Sequence, residues 1–276
     1  MIRKLIQLSP STSVVSMPAK WLKKQNLKKG DEVTLTQTDN SVIISTTHTK
    51  AFSKVTLDLT MLDQKVFLTH VEAAYIAGYD EITLLINSQK ESNLLLSVAN
   101  EVPGMIVSQQ SNKKVQFKDI TGNAQEDVDV ILNRVFNMII ALLVECTEHL
   151  KAKDWSALSD VKKKDYAINS YISYCQRQIN KFGYHTFAKT GLVTTYLKFL
   201  EVVTDSIWDY HIDLAKNKKQ STVQSDLLLD VFRQLQRLHY KYDQKKLNVL
   251  YRKLDLKNHI HSLLYDLLEV EIQLQV

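Results

Sequence analysis

The chain has 276 residues, 45% of them hydrophobic and 24% charged, and a formal net charge of +5. This composition is typical of a soluble globular protein, and the length favours two or three domains. No run approaches about eighteen uninterrupted apolar residues, and the N-terminus lacks a continuous apolar stretch. We therefore expect a cytoplasmic protein with no membrane span, in which Cys146 and Cys175 are reduced thiols.

Residues 1–50 carry the whole positive excess. They contain eight Lys or Arg against three Asp or Glu, whereas the remaining residues contain 27 of each. Concentrated positive charge is what a module that meets a polyanion needs. Lysines that only solvate a small surface would give the same count, so the charge alone leaves both interpretations open.

Residues 1–47 are predicted to form two strand pairs around a short helix. "KLIQL" and "SVVSM" flank the polar loop "SPSTS", and Pro18 suits the first helical position. Asn26 tolerates the left-handed conformation that ends a helix, and "VTLTQ" and "SVIIST" follow as strands around a turn at Asp39-Asn40. Such a short segment cannot bury much core alone, so we expect a partner chain to complete it.

The order of a polar-loop hairpin, a Pro-led helix and "LKKGDEV" resembles AbrB/SpoVT-type swapped-hairpin domains. The resemblance implies an obligate homodimer with interleaved hairpins that, in most relatives, binds DNA. We expect cations of this segment to face the duplex and hydroxyls of the first loop to donate to phosphates. These residues are Arg3, Lys4, Ser11, Thr12, Ser13, Lys20, Lys23 and Lys24.

Residues 51–120 alternate strand and helix patterns in the order β-α-β-α-β-β. The predicted strands are "KVTLDLT", "EITLLIN", "MIVSQQ" and "KVQFKDI", and the first helix is stopped at Gly78. This order predicts a small sheet with helices packed on it. No glycine spacing suits a phosphate-binding loop, and a lone histidine such as His70 is usually structural or exposed. We interpret the segment as a small connecting or effector-sensing α/β module.

Residues 124–276 are predicted to be nearly all helix, because after Gly122 only Gly183 and Gly191 interrupt them and no proline follows Pro103. Asn123 and Glu126 have the spacing of a capping box. Apolar periodicity predicts helices over roughly 125–152, 155–182, 187–217, 222–242 and 245–273. An antiparallel bundle is the economical way to bury them.

The third of these helices has an unusual charge pattern. Glu201, Asp205, Asp209 and Asp213 are spaced four apart with no Lys or Arg between them. Like charges at that spacing destabilise a helix by about 0.2–0.5 kcal/mol per pair. A nearby cation would relieve this repulsion, and it could be a lysine of a neighbouring helix or a metal ion. The alternative interpretation is a solvated acidic face.

The preceding helix offers Asp165 and Asn169 as oxygen ligands, also four apart. At this point the bundle resembles a PhoU domain, whose second and third helices carry acidic pairs. Glu201 and Asp205 match the metal-binding positions of that family, and so does Asp165, whereas Asn169 stands where an acid is usual. The resemblance implies a metal ion, such as Fe, Mn, Zn or Mg, held by these four residues.

An AbrB-like domain (1–47), an α/β module (51–120) and a PhoU-like bundle (124–276) in that order resemble archaeal-type phosphate uptake regulators. The resemblance implies a multidomain α+β, non-enzymatic homodimer that docks on DNA. Its bundle would meet a phosphate transporter component or a signalling protein.

Two other classes of function remain open. A protein-interaction scaffold or antitoxin-like protein would use the AbrB-like domain only to dimerise or to hold a partner protein. An enzyme with a di-metal centre would need Glu-x-x-His pairs on two helices. The candidates around Glu145, Glu148 and His149 lie in a single helix, which argues against it.

Overall fold

The computed structural model describes residues 2–37, 42–46, 52–122 and 124–276. The chain divides into two compact units, Met1–Ala51 and Phe52–Val276. The first contains short strands and one short helix, and the second contains a sheet and a helical region. The protein is therefore of mixed α+β class, as predicted. The expected turn at Asp39-Asn40 and the expected cap at Asn123 lie outside the described residues.

The N-terminal unit consists of two antiparallel strand pairs and a helix between them. β1 (Ile6–Ser9) pairs with β2 (Thr12–Val14), α1 spans Ala19–Lys24, and β3 (Val33–Gln37) pairs with β4 (Val42–Thr46). In the described residues the two pairs form separate two-stranded sheets. The predicted order of elements is confirmed.

The predicted end of α1 at Asn26 is also confirmed. Asn26 has φ 55°, its N–H donates to the Lys23 carbonyl, and the N–H of Leu27 donates to the Leu22 carbonyl over 2.9 Å. This pair of bonds satisfies the last carbonyls of the helix and requires a left-handed residue, which asparagine tolerates. The chain is thereby turned out of α1 toward β3.

The described side chains of the N-terminal unit form no buried core among themselves. None of the side chains described for residues 2–37 and 42–46 is buried. Several large apolar side chains are open to solvent, with exposed fractions of 75% for Leu5, 68% for Leu8 and 63% for Leu35. Two-stranded hairpins are marginally stable in water by themselves. This exposure fits the expectation that a partner chain completes the core of the unit.

The second unit begins with a four-stranded mixed sheet and two helices. The elements are β5 (Lys54–Asp58), α2 (Phe67–Ile76), β6 (Glu81–Leu85), α3 (Gln89–Ser97), β7 (Met105–Gln110) and β8 (Lys114–Asp119). Their order matches the prediction. The strand order is β5-β6-β8-β7, with β5 and β6 parallel and the other pairs antiparallel.

Seven helices complete the unit: α4 (Val128–Ala152), α5 (Trp155–Ser159), α6 (Val161–Phe182), α7 (Thr190–Lys216), α8 (Val223–Tyr240), α9 (Gln244–Tyr251) and α10 (His259–Gln275). α7 packs against α6 and α10, and α4 packs against α6 and α8. The largest fully buried side chains of this region are Trp208, Tyr196, Phe136 and Phe232. Their apolar stripes form one core continuous with that of the sheet.

Two predicted helices are wrong as single helices. The predicted helix 155–182 is divided at Asp160 into α5 and α6. The predicted helix 245–273 ends at Tyr251 and restarts at His259, because the Asn258 side chain accepts from the N–H groups of Ile260 and His261. Such local side-chain bonds to the backbone compete with helix continuation and favour a new helix start.

The start predicted for the first helix, at 125, is also early. α4 begins at Val128, and the carboxylate of Asp127 caps it by accepting from the N–H of Asp129. In the described part of the chain, α4 is the one helix with the length and composition of a membrane span. Half of its apolar window is buried, and it packs against α6 and α8. We interpret it as a core helix of the bundle.

A buried cluster of four charges joins α6 to the sheet. Arg177 Nη2 lies 2.6 Å from Asp119 Oδ2, and Lys181 Nζ lies 2.7 Å from Asp80 Oδ1 and 3.0 Å from Asp119 Oδ2. Asp119 ends β8, and Asp80 directly precedes β6. Side-chain exposure is 12% for Asp80 and 4% or less for the other three. We call these residues the four-charge cluster.

The same two turns of α6 close the C-terminal end of α2. Arg177 donates to the carbonyls of Tyr75 (2.7 Å) and Tyr79 (2.9 Å), and Asn180 donates to the carbonyl of Ile76 (2.8 Å). A cation here satisfies the last carbonyls of the helix and opposes its dipole. Gly78 must remain glycine, because its φ is +89° and an added Cβ would lie 2.7 Å from Cγ of Lys181.

Asp119 is held ionised within this cluster. Burial by itself raises the pKa of the carboxyl, but hydrogen bonds from Thr121, Arg177 and Lys181 outweigh it and lower the pKa to about 2. A carboxylate whose pKa is lower in the folded than in the unfolded state stabilises the fold above its unfolded pKa. That stabilisation is present at neutral pH and is lost as the pH falls toward the folded pKa.

Replacing Arg177 tests the weight of the cluster. Arg177→Met should lower the free energy of unfolding by about 3–5 kcal/mol, because it removes one of the two cations that pair with buried Asp119 and the side-chain donor to the carbonyls of Tyr75 and Tyr79. Urea unfolding at pH 7, followed by circular dichroism, measures this change. Arg134→Met, at an exposed arginine of α4, should change stability by about 0.5 kcal/mol or less. Equal effects of the two substitutions would contradict the assignment.

Candidate nucleic-acid interface and acidic site

All eight residues predicted to contact DNA are exposed on the N-terminal unit. Arg3 and Lys4 precede β1, Ser11 to Ser13 form the turn and the start of β2, and Lys20, Lys23 and Lys24 lie on α1. Within the described residues, no ion pair involves any of these five cations. Their charge is therefore available to an external anion.

The geometry of α1 directs its lysines outward. Lys20, Lys23 and Lys24 have the spacing of one helix face, while Trp21 and Leu22 are half-buried on the other side. In the first hairpin, the register of β1 and β2 shifts between Gln7 and Ser9, which is a bulge beside the polar turn. The unit thus presents lysines from one element and hydroxyls from another.

Apolar side chains on the N-terminal strands are exposed among the described residues. Ile6 and Leu8 lie two apart on β1, and Val33 and Leu35 lie two apart on β3, so each pair shares one strand face. The exposed fraction is 53% for Ile6 and 39% for Val33. A second copy with the same faces would bury both sets symmetrically.

Three of the four residues predicted to hold a metal meet between α6 and α7. Nδ2 of Asn169 lies 3.3 Å from Asp165 Oδ2 and 3.5 Å from Asp205 Oδ1, and donates to both. The other oxygen of Asp165 accepts from Nε1 of Trp208, which is fully buried. Glu201 lies one turn before Asp205 and accepts from Lys198 Nζ over 2.8 Å.

These contacts give the acidic residues N–H donors. The neutral amide of Asn169 separates two carboxylates, Lys198 pairs with Glu201, and Asn217 donates to Asp213 over 2.9 Å. Within the described residues, no group of three or more His, Cys, Asp or Glu side chains is placed to hold a metal ion. Oδ1 of Asn169 is buried without a hydrogen-bond partner. A metal ion at these residues stays a prediction.

A small cavity adjoins this site where the helices meet the α/β part of the unit. It has a volume of about 160 Å³, and its lining includes Glu72, Glu101, Asn169, Ser173 and Glu201. Ser173 Oγ donates to Glu72 Oε1 over 2.8 Å. Burial, and secondly the charge of Glu72, raises the pKa of Glu101. The cavity is thus acidic. Its lining comes from α2 and the segment after α3 on one side and from α6 and α7 on the other.

Residues 6–51 match a family described as "Antidote-toxin recognition MazE, bacterial antitoxin". This match supports the AbrB-like, swapped-hairpin nature of the N-terminal domain. It covers less than half of the chain and does not extend to the sheet or the helices of the second unit. No curated protein and no solved structure has significant similarity to the chain.

Sequence reasoning missed the acidic residues on the sheet side and the cations of the four-charge cluster. Glu72 and Ser173 are separated by 101 positions, as are Asp80 and Lys181. Their pairing depends on how α2 and β6 dock on α6, which no local pattern reports. Charged residues in amphipathic helices are usually solvated, so Arg177 and Lys181 gave no signal of their burial.

We expect Leu8→Asp to convert a dimer of the full chain into a monomer. A carboxylate on this strand face would have to be buried without a partner when a second copy covers it. Light scattering coupled to size exclusion measures the mass directly. Leu256→Asp is the matched control, because Leu256 is similarly exposed, at 59%, on the second unit. A dimeric Leu8→Asp variant would show that the dimer forms elsewhere.

Proposed function

We propose that the protein is a homodimeric DNA-binding regulator whose N-terminal domain makes both the dimer and the DNA contact. One observation carries this proposal: among the described residues, the AbrB-like unit combines cations that make no ion pair with strands whose apolar side chains are exposed. The cations supply affinity for a polyanion. The exposed apolar strands favour association of two copies of the chain, because a dimer would bury them.

DNA contacts of this kind act mainly on the phosphate backbone. Lysines that neutralise phosphates release counterions, so affinity falls steeply with salt. Ser11, Thr12 and Ser13 can donate to phosphate oxygens, which fixes position without reading bases. Arg3 is the one arginine of residues 1–50, and arginine forks are the commonest specific contact to guanine. We therefore propose binding with weak sequence preference.

We propose that the protein is located in the cytoplasm and that the process it regulates is phosphate uptake. The support is the order of an AbrB-like domain, an α/β module and a helical region, and the approach of Asp165, Asn169 and Asp205 across two antiparallel helices. In this proposal the helical region contacts a phosphate transporter component or a signalling protein, and the protein has no enzymatic activity. The acidic cavity beside α6 offers a contact point for such a partner.

We also propose that Asp165, Asn169, Glu201 and Asp205 take a divalent or trivalent cation. The donor set suits a hard or borderline metal, since it consists of carboxylate and amide oxygens. Rotating the Asn169 amide by half a turn would exchange its nitrogen and its unpartnered oxygen without a change of shape. The carboxylates and that oxygen would then face the cation.

An antitoxin-like function is the second candidate, and the family matched by residues 6–51 favours it. In that case the N-terminal domain dimerises and binds a partner protein, and its lysines form ion pairs with acidic groups of that partner. DNA affinity near background would separate this function from the first.

The DNA proposal is tested by reversing two charges on α1. Lys23→Glu with Lys24→Glu should weaken binding to unrelated duplexes alike, by about tenfold or more near 100 mM salt, with a log–log salt slope of about −0.9 per phosphate neutralised in the wild type. Fluorescence anisotropy over a salt series measures both quantities. Lys113→Glu with Lys118→Glu, at exposed lysines of the second unit, should bind as the wild type. Salt-independent binding, or none near 50 mM salt, would reject the proposal.

The metal proposal is tested on α7. Glu201→Ala with Asp205→Ala should abolish uptake of manganese, iron or zinc in calorimetry, and the helix should persist because alanine has the higher helix propensity. Asp209→Ala with Asp213→Ala, further along the same stripe, should keep the binding heat. No heat from the wild type, or equal heats from both variants, would mean that these acids are only solvated or paired within the protein.

A further inference from the structure

A second basic surface lies at the C-terminal end of α8, on α9 and on the turn that follows. Residues 233–257 contain eight Lys or Arg and two Asp, although the chain beyond residue 50 is balanced overall. The balanced total of residues 51–276 does not reveal this local concentration of positive charge. We call residues 233–257 the C-terminal basic surface.

Most of these cations are open to solvent. Lys253 is half-buried, and the other seven are exposed: Arg233, Arg237, Lys241, Lys245, Lys246, Arg252 and Lys257. Exposed tyrosines lie among them, with exposed fractions of 48% for Tyr240 and 38% for Tyr242. The surface is therefore both charged and accessible.

The carboxylates of this region are already occupied. Asp243 caps α9 by accepting from the N–H groups of Lys245 (3.0 Å) and Lys246 (3.2 Å). Asp255 accepts from the N–H of Lys257 over 3.1 Å, and Asp230 of α8 lies 2.6 Å from Lys253 Nζ. Within the described residues, Arg237, Lys241, Lys245, Arg252 and Lys257 make no ion pair. A net positive charge is left uncompensated.

The elements that carry these cations pack against one another. Arg233 and Arg237 are four apart on one stripe of α8, and Lys241 directly follows the last residue of the helix. α9 packs against α8, and the bond from Lys253 to Asp230 brings the turn after α9 back to the same helix. That bond, and the nearby charge of Arg233, lower the pKa of Asp230. The turn and the stripe therefore meet at Asp230.

A groove runs along α9 within this surface. It has a volume of about 440 Å³ and is lined by Gln244, Lys245, Leu247, Asn248 and Tyr251. Its polar groups are an ammonium, two amides and a phenol, and its lining contains no carboxylate. Such donors are the groups that bind phosphate and sugar oxygens of a nucleic-acid strand.

We infer that the C-terminal basic surface binds the phosphate backbone of duplex DNA independently of base sequence. It is a second contact, in addition to that of the N-terminal domain. The inference rests on the proposed function in one respect, since it takes DNA and not an acidic protein as the polyanion. A dimer would carry two such surfaces, so the number of phosphates neutralised rises for each copy that engages.

The test uses the full chain with Arg237→Gln, Lys241→Gln and Lys245→Gln together. Binding to a mixed-sequence duplex should weaken by about tenfold or more near 100 mM salt, and the steepness of the log–log salt slope should fall by about 0.9 for each phosphate that is no longer neutralised. The matched control is Lys90→Gln, Lys113→Gln and Lys118→Gln, at exposed lysines of the α/β part, which should bind as the wild type. Thermal melting by circular dichroism checks that both variants are folded.

A third variant, Lys20→Gln with Lys23→Gln and Lys24→Gln, separates this inference from the proposed function. If the C-terminal triple variant binds like its control, the inference is wrong, and the surface is left for an acidic protein. If only the C-terminal triple variant weakens binding, the inference holds and the N-terminal DNA contact is wrong. If the wild type does not bind DNA near 50 mM salt, both are wrong.

Discussion

The second unit depends on the buried pairing of Arg177 and Lys181 with Asp80 and Asp119. Removal of either cation would leave the negative charge of the two buried carboxylates incompletely compensated, which is strongly unfavourable. A small separation of α6 from the sheet would therefore be costly. The ion pairs would break while the charges were still in a low-dielectric site, before water could solvate them. The sheet and the bundle consequently share a core and behave as one body.

α6 also links this cluster to the acidic site. Its first half meets α7 through Asp165 and Asn169, Ser173 bonds Glu72 of α2, and its last turns hold the sheet. A ligand or partner that moved Asn169 would act on a helix whose other end is fixed by buried charges. Such a disturbance would reach the cavity first, since Glu72 and Glu101 line it beside Glu201.

Local patterns in the sequence were sufficient for most of the fold. Alternation predicted the strands of both units, and asparagine chemistry predicted the end of α1. The break between α9 and α10 was missed because Asn258 competes for backbone donors inside an otherwise helical pattern. Asp165, Asn169 and Asp205 lie together across α6 and α7, whereas Glu201 pairs with Lys198. The bond from Trp208 and the opposing residues on α2 depend on tertiary packing that spacing does not encode.

In the proposed homodimer, folding of the N-terminal unit is a second-order process, because the described part of the unit buries no side chain by itself. For a segment that acquires its core only from another copy, stability depends on protomer concentration. At low abundance the equilibrium favours separate chains with open strand edges and apolar faces, which are the substrates of proteases and chaperones. The number of molecules in the cell would then set a threshold below which the protein has no working N-terminal domain.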